Sequence, residues 1–375
     1  MVKWRCSQVI MKVSAAAVLA VGMSSISKAQ SSEPFFAGKT IELLVPLSAG
    51  GGTDRTARFL AGYLTQFLEG DPSVQVINEP GGGGITGANN WLRNEQSEGV
   101  YGLMVGSSTG TAWLVGEPAV EYDLTNLVPI ITFPSSRVFF VRKDTGIETV
   151  TDLRDLEKPI TIGGITASGQ SFAGIVGLEF LELDDKVRHV FGYGSGGEFI
   201  LAIEQGEIQA MLAAPQAVIS HFETPENLRD NVTPVWQLGL PDGKGGYAVD
   251  PAFPEAPVLV DAYAEIFDKE IDQDSEAWKS VKTFMNMAGM ASFGLWMHPD
   301  APPEAIQAMR DAMERAAADP EFIAFAEQRL GPYKPVVGDQ LKELEETLAG
   351  IEPGSMNWAR RLLMEKYDVP ELRLD

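Results

Sequence analysis

Ile41-Glu42-Leu43-Leu44-Val45-Pro46-Leu47-Ser48-Ala49-Gly50-Gly51-Gly52-Thr53-Asp54 is an apolar run that stops at a glycine triplet and opens into a helical pattern. Ala57, Leu60, Ala61, Leu64 and Phe67 or Leu68 then recur at three- and four-residue spacing, the period of one helix face. The change of period reads as strand, glycine loop and helix. Thr53 or Asp54 is placed to cap the first turn, and Asp54 and Arg58 stand four residues apart along it. Glycines let the backbone approach a ligand closely, and the unpaired N–H groups of a first helical turn attract an anion. The loop therefore reads either as an anion site or as a glycine-rich turn with no ligand. No Gly-Lys-Ser/Thr follows it and the spacing Gly-x-Gly-x-x-Gly is absent, which disfavours a nucleotide.

Similar loops recur along the chain. Val74 to Asn78 reads as a strand, Glu79-Pro80-Gly81-Gly82-Gly83-Gly84 as a second glycine loop, and Ile85, Ala88, Asn89 and Leu92 as a helix face. A strand at Tyr101 to Val105 ends in Gly106-Ser107-Ser108-Thr109-Gly110, read as a turn rich in hydroxyls. In an open parallel α/β sheet the carboxyl ends of the strands line one crevice, where these loops would converge. Leu127 to Phe133 and Arg137 to Arg142 read as β, with Pro134-Ser135-Ser136 as the crossing into a second domain. That domain carries its own loops at Gly164 to Ser171 and Gly192 to Gly197, a helix from Glu198 to Gln205 with Gly206 as its C-cap, and strands on either side. The chain is expected to cross back near Val232 to Gly239. The remainder reads as mainly helical, with one clear helix from Pro302-Pro303-Glu304 that carries Ile306, Met309, Met313 and Ala317 on one face.

With 375 residues and 45% hydrophobic composition the chain can bury a core large enough for two domains. Lys3, Arg5 and Lys12 precede the apolar run Val13 to Gly22, and a small-residue region ends at Ser27-Lys28-Ala29. That is the pattern of a secretory signal cleaved after Ala29, leaving a periplasmic protein. The apolar run is shorter than the roughly 20 residues a membrane span needs. Cys6, the only cysteine, falls inside the expected signal, so no disulfide or thiol chemistry is expected in the mature chain. Removing residues 1–29 takes away four basic residues and no acidic one, which moves the formal charge from −23 to −27. Such acidity excludes a general nucleic-acid binder, and it requires that a small anionic ligand be held by local donors against the net field.

The ordered set Val45 to Arg58, Asn78 to Ala88, Gly99-Val100-Tyr101-Gly102-Leu103, Thr166-Ala167-Ser168-Gly169, His189 to Gly197 and Gly206 to Met211 resembles the substrate-binding proteins of tripartite tricarboxylate transporters, also called Bug or TctC-like. The resemblance runs in order from about Lys39 to about Gly350. The chain departs from the family pattern at Tyr193-Gly194-Ser195, at Gln209 and over residues 241–290. The resemblance implies an α/β, two-lobed periplasmic-binding-protein-like fold, with the ligand cleft between two domains joined by two crossover strands. Lobe 1 would comprise residues 30–133 and 240–375, and lobe 2 residues 134–239. It also implies a bound organic carboxylate, a di- or tricarboxylate or similar, held by loop amides, hydroxyls and ordered waters. By position, the site residues carried over are Ser48, Gly50, Gly51, Gly52, Thr53, Asp54 and Gly83 in lobe 1, Ser107 and Ser108 at the mouth, and Thr166, Ala167, Ser168, Gly169, Ser171, Tyr193 and Gly196 in lobe 2. The implied partners are the ligand and the integral membrane subunits of the transporter, with the protein a monomer.

The residues offer little catalytic chemistry. His189, His221 and His298 lack metal-ligand spacing and read as structural. A serine hydrolase is not expected, since the hydroxyls near the glycine loops suffice as hydrogen-bond donors. Asp184-Asp185 and Asp152 with Asp155 fit solvated faces or helix ends. Arg55, Arg58, Arg137 and Arg142 could meet an anion, but their default role is a surface or interlobe ion pair. Trp113, Trp236 and Trp296 read as core or cleft wall. The sequence is thus that of a non-enzymatic carboxylate-binding protein needing no cofactor or metal. A component feeding a sensor kinase and an exported carboxylate-acting enzyme are the alternatives.

Overall fold

A computed structural model describes residues 33–94, 98–219 and 228–374. The expected signal segment and His221 lie outside the described residues. The first sheet is built by β1 (Thr40–Val45), α1 (Gly52–Phe67), β2 (Ser73–Asn78), α2 (Ile85–Arg93), β3 (Tyr101–Gly106), α3 (Ser107–Leu114) and β4 (Val128–Phe133). The chain then crosses through Pro134 to Arg137 into β5 (Val138–Arg142), α4 (Val150–Arg154), β6 (Ile160–Gly163), α5 (Phe172–Phe180), β7 (Val187–Val190), α6 (Gly196–Gln205), β8 (Ala210–Ala213), α7 (Pro215–Ile219), α8 (Leu228–Asn231) and β9 (Val232–Gln237). The last third adds the short pair β10 (Leu240–Pro241) and β11 (Tyr247–Ala248), then α9 (Leu259–Phe267), α10 (Glu276–Met290), β12 (Phe293–Met297), α11 (Pro303–Ala318), α12 (Pro320–Leu330), α13 (Leu341–Ala349) and α14 (Asn357–Lys366).

The described residues form two five-stranded sheets, ordered β2-β1-β3-β12-β4 and β7-β6-β8-β5-β9. Neither is purely parallel, as the sequence reading assumed. β12 runs antiparallel between β3 and β4, and β5 runs antiparallel between β8 and β9. The remainder is mainly helical, as expected, but Phe293–Met297 is a strand that the reading did not place and that returns to the first sheet between β3 and β4. An antiparallel strand presents its amino end where its parallel neighbours present their carboxyl ends. Phe293 and Arg137, at the starts of β12 and β5, thereby join the loops that follow β1, β3, β6 and β8.

Local chemistry explains the elements nearest the cleft. α1 buries Ala57, Leu60 and Leu64, whose burial contributes about 1.5–3 kcal/mol for each large side chain. Its N-cap is Gly51, not Thr53 or Asp54, and no side chain caps it. Asp54 instead folds back to accept the Gly50 N–H at 2.9 Å. Ser107-Ser108-Thr109-Gly110 is not a turn: helix α3 starts directly at Ser107 as β3 ends. On α11 the buried residues are Ala305, Met309, Ala312, Met313 and Ala316, and Ile306 packs partly buried against the same core.

The large core cluster runs across elements that bear on both sheets. Phe139 and Trp236 stack at 5.5 Å, and Phe172 of α5 meets Phe284 of α10 edge-on at 5.0 Å. Gly177 is required here by close approach, since an added Cβ would stand 2.4 Å from the Trp236 ring. Trp296 is equally buried, whereas Trp113 is half-exposed. Within the segment 240–375 assigned to lobe 1 at the sequence level, Ala252, Phe253 and Ala256 pack in the cluster of β5 and β8, and Val258 bridges to Gln237 of β9. That stretch rests on the second sheet. Among the described residues no helix is long and apolar enough to cross a membrane.

Candidate functional site

Between the facing ends of the two sheets lies a cavity of about 50 Å³. The first turns of three helices reach it: Gly51 to Asp54 at α1, Ser107 and Ser108 at α3, and Ser195 and Gly196 at α6. First-turn N–H groups have no helical carbonyl to bind, and the helix dipoles add partial positive charge at the same ends. Leu47, Ile165, Ala213, Ala214 and Phe293 supply apolar wall.

Arg137 is the decisive side chain. It is 2% exposed and lines the cavity. Nη1 donates to the Ser136 carbonyl at 2.9 Å and to Ser292 Oγ at 3.1 Å, and the guanidinium carbon stands 5.8 Å from the centre of the Phe293 ring. Nη2 is buried with no hydrogen-bond partner among the described residues, and Ser108 Oγ, also on the wall, has none either. Burial pushes the guanidinium down to about 10, against the opposing charges of Tyr333 and Asp250. Unpartnered donors of this kind are rare in folded proteins and mark a place where another group belongs.

A buried network holds the crossing that carries Arg137. Asp250 is fully buried and accepts the Ser136 N–H at 2.9 Å and the Tyr333 hydroxyl at 2.7 Å. Its own N–H donates to Gln237 Oε1 at 2.7 Å, and Ser136 Oγ accepts the Gly239 N–H at 2.8 Å. Burial raises the Asp250 carboxyl above its ordinary value, against the hydrogen bonds from Ala252, Ser136 and Tyr333. Both passages of the chain between the sheets are therefore tied to one carboxylate.

The expected site residues divide into two groups. Ser48, Gly51, Gly52, Thr53, Asp54, Ser107, Ser108 and Gly196 line the cavity. Asp54 is already claimed there: Arg58 donates at 2.9 and 3.0 Å and Asn78 at 3.0 Å. Burial raises the Asp54 carboxyl, but the hydrogen bonds from Arg58, Gly50 and Asn78 outweigh it and hold the group below its usual range. Its work is to set the glycine loop. Gly50, Gly83, Thr166, Ala167, Ser168, Gly169, Ser171 and Tyr193 are not on the wall. Several sit where the two sheets' loops meet. A Cβ at Gly83 would come within 2.8 Å of Thr166 Oγ1, one at Gly169 within 3.6 Å of Ser108 Cβ, and one at Gly197 within 3.1 Å of the Gly50 carbonyl. Ser168 donates from its hydroxyl to Glu117, across the same seam. Ser171 packs beneath Gly164 and donates to Gln170 Oε1 at 3.3 Å.

No family model matches the chain, and no curated relative matches its sequence. Solved structures do match its shape. BugD, a periplasmic binding protein, superposes with a TM-score of 0.65 at 16% identity over 88% of this chain and 98% of its own. MatC from Rhodopseudomonas palustris, solved with bound malate, gives 0.63 at 16% identity over 88% and 100%. A second R. palustris protein, solved with adipate, gives 0.62 at 13% identity over 87% and 97%. The chain has the two-lobed periplasmic-binding-protein fold.

Periplasmic binding proteins close around a ligand by hinge motion of their lobes. Sequence reasoning left Arg137 among the ion-pair arginines, and it missed Ser195 and Phe293. The signal for Arg137 was its place directly after Pro134-Ser135-Ser136, at the crossing itself. The other three arginines take the default role or lie off the wall. Arg58 pairs with Asp54, Arg142 pairs with Asp144 and donates to the Ile203 carbonyl at 2.7 Å, and Arg55 is not among the cavity residues. His298 accepts the Asp300 N–H at 3.1 Å, and His189 stacks on Phe191. Both act structurally.

Proposed function

We propose that this protein captures a small organic carboxylate between its two lobes and hands it to a membrane transporter of the tripartite tricarboxylate type. The observation that carries the reading is the buried Arg137 Nη2, left without a partner in a cavity where three helix N-termini converge. A carboxylate bound there would take a charge-assisted hydrogen bond from Arg137, a hydroxyl bond from Ser108 and backbone N–H groups of the glycine loop. The bound carboxylates of the MatC and adipate-bound structures, which share this fold, support the ligand class. The role is capture without catalysis. Location in the periplasm after cleavage at Ala29, action as a monomer and the membrane subunits as partners complete the proposal. The lobes would be residues 30–133 with 240–375, and 134–239, with the stretch around Ala252 to Val258 carried by the second.

Isothermal calorimetry on the mature protein with mono-, di- and tricarboxylates, beside nucleotides and sugars, tests the ligand class. A carboxylate should bind and the others should not. Binding of a sugar or nucleotide with no response to any carboxylate would overturn the reading.

A further inference from the structure

The cavity wall is more particular than a general carboxylate site. Among the described residues lining it, Arg137 is the one cation. Asp54 also faces it, with its charge matched by Arg58, and Asp250 lies behind Arg137. Ile165, Ala213 and Ala214 give the wall an apolar part, and its remaining polar groups from the second lobe, Gln170, Ser195 and Gly196, are uncharged. A buried charge with no partner is strongly disfavoured.

Size points the same way. A water needs about 10–15 Å³ of such space, so a cavity of about 50 Å³ holds about three to five water-sized groups. The loops of the two lobes approach closely at its rim. A Cβ at Gly51 would stand 3.4 Å from Ser195 Cβ, and one at Gly194 would stand 2.9 Å from Ser48 Oγ. A larger ligand would hold these surfaces apart and break the bond from Ser168 to Glu117.

We propose that the ligand is a short monocarboxylate, one charged end on a small apolar body, rather than the di- or tricarboxylate that the family resemblance implies. This rests on the carboxylate-capture reading above. Its carboxylate meets Arg137 and Ser108, and its alkyl end lies against Ile165, Ala213 and Ala214.

The test is calorimetry on the mature wild-type protein, with acetate, propionate and butyrate measured against succinate, malate and citrate. At least one monocarboxylate should bind about tenfold or more tightly than every dicarboxylate and tricarboxylate. A di- or tricarboxylate that binds within that margin, or more tightly, overturns this inference and leaves carboxylate capture standing. Failure of all six to bind folded protein overturns both.

Discussion

Arg137→Met removes the one cation among the described residues of the cavity wall while keeping much of its buried stem. In the free protein the guanidinium is held down to about 10 from 12.5, which at about 1.4 kcal/mol per pH unit is a burial cost of roughly 3 kcal/mol. That cost is already net of the attraction to Asp250 and Tyr333, and against it stand the hydrogen bonds to Ser136, Ser292 and Ser135, each contributing about 0.5–1.5 kcal/mol. The terms nearly cancel, so the unliganded variant should unfold within about 2 kcal/mol of wild type, as replacement of buried charges by apolar groups often does. Binding should respond differently. A carboxylate left in the cavity without its cation loses about 3–5 kcal/mol, which is roughly 10²-fold to a few thousand-fold in Kd. Urea unfolding of the free proteins and calorimetry with the best wild-type ligand measure the two quantities separately. A variant that binds within about threefold of wild type would refute the assignment of Arg137 as the anion's partner.

Gly51→Val should leave the fold intact, because Gly51 has φ −80° and any residue can adopt it. Its added methyls would collide with Ser195 as the lobes meet, weakening binding by about 1–3 kcal/mol, read by calorimetry beside circular dichroism. Ser168→Ala removes the bond to Glu117 across the seam and should raise the ligand off-rate by the equivalent of about 0.5–1.5 kcal/mol in stopped-flow displacement, with thermal stability little changed. His189 is pushed down to about 4 by burial, only partly offset by Asp184. Between about 4 and its ordinary 6.5 the unfolded chain binds the proton and the folded chain does not, so stability falls as pH drops through that window. His189→Phe should lessen the loss between pH 7 and pH 5 by about 1–2 kcal/mol in urea titrations; equal losses in both proteins would contradict the burial of a neutral imidazole. N-terminal sequencing of protein from the periplasmic fraction should begin at Gln30, and Met1 from a cytosolic pool would end the export claim.

The parts legible in the sequence were those with a strong period or a local chemical signature. β1 and α1 declare themselves by the switch from an unbroken apolar run to three- and four-residue spacing, and Gly206 sits as read at the left-handed C-cap of α6. Other parts depended on packing that no local pattern records. Ser107-Ser108-Thr109-Gly110 carries poor helix formers, yet α3 begins there because β3 delivers the chain straight into it. Phe293 to Met297 is a five-residue apolar run beside a long helix, and only its partners β3 and β4 make it a strand. Ser168 reads as a ligand hydroxyl until Glu117, 51 positions away, is seen to accept its hydrogen bond. Arg137 reads as a surface or interlobe ion-pair partner, because its place after Pro134-Ser135-Ser136 marks the crossing but not the walls that bury it. Part of the glycine loops lines the cavity, and the tertiary structure adds Arg137, a charge that the loops alone lack.

The most direct test of the central claim is a crystal structure of the protein with the tightest-binding carboxylate of the calorimetric panel. The account places one carboxylate oxygen within about 2.7–3.1 Å of Arg137 Nη2, with Ser108 Oγ donating to the same group. A ligand bound outside this cavity, or inside it with its carboxylate turned away from Arg137, would contradict the account.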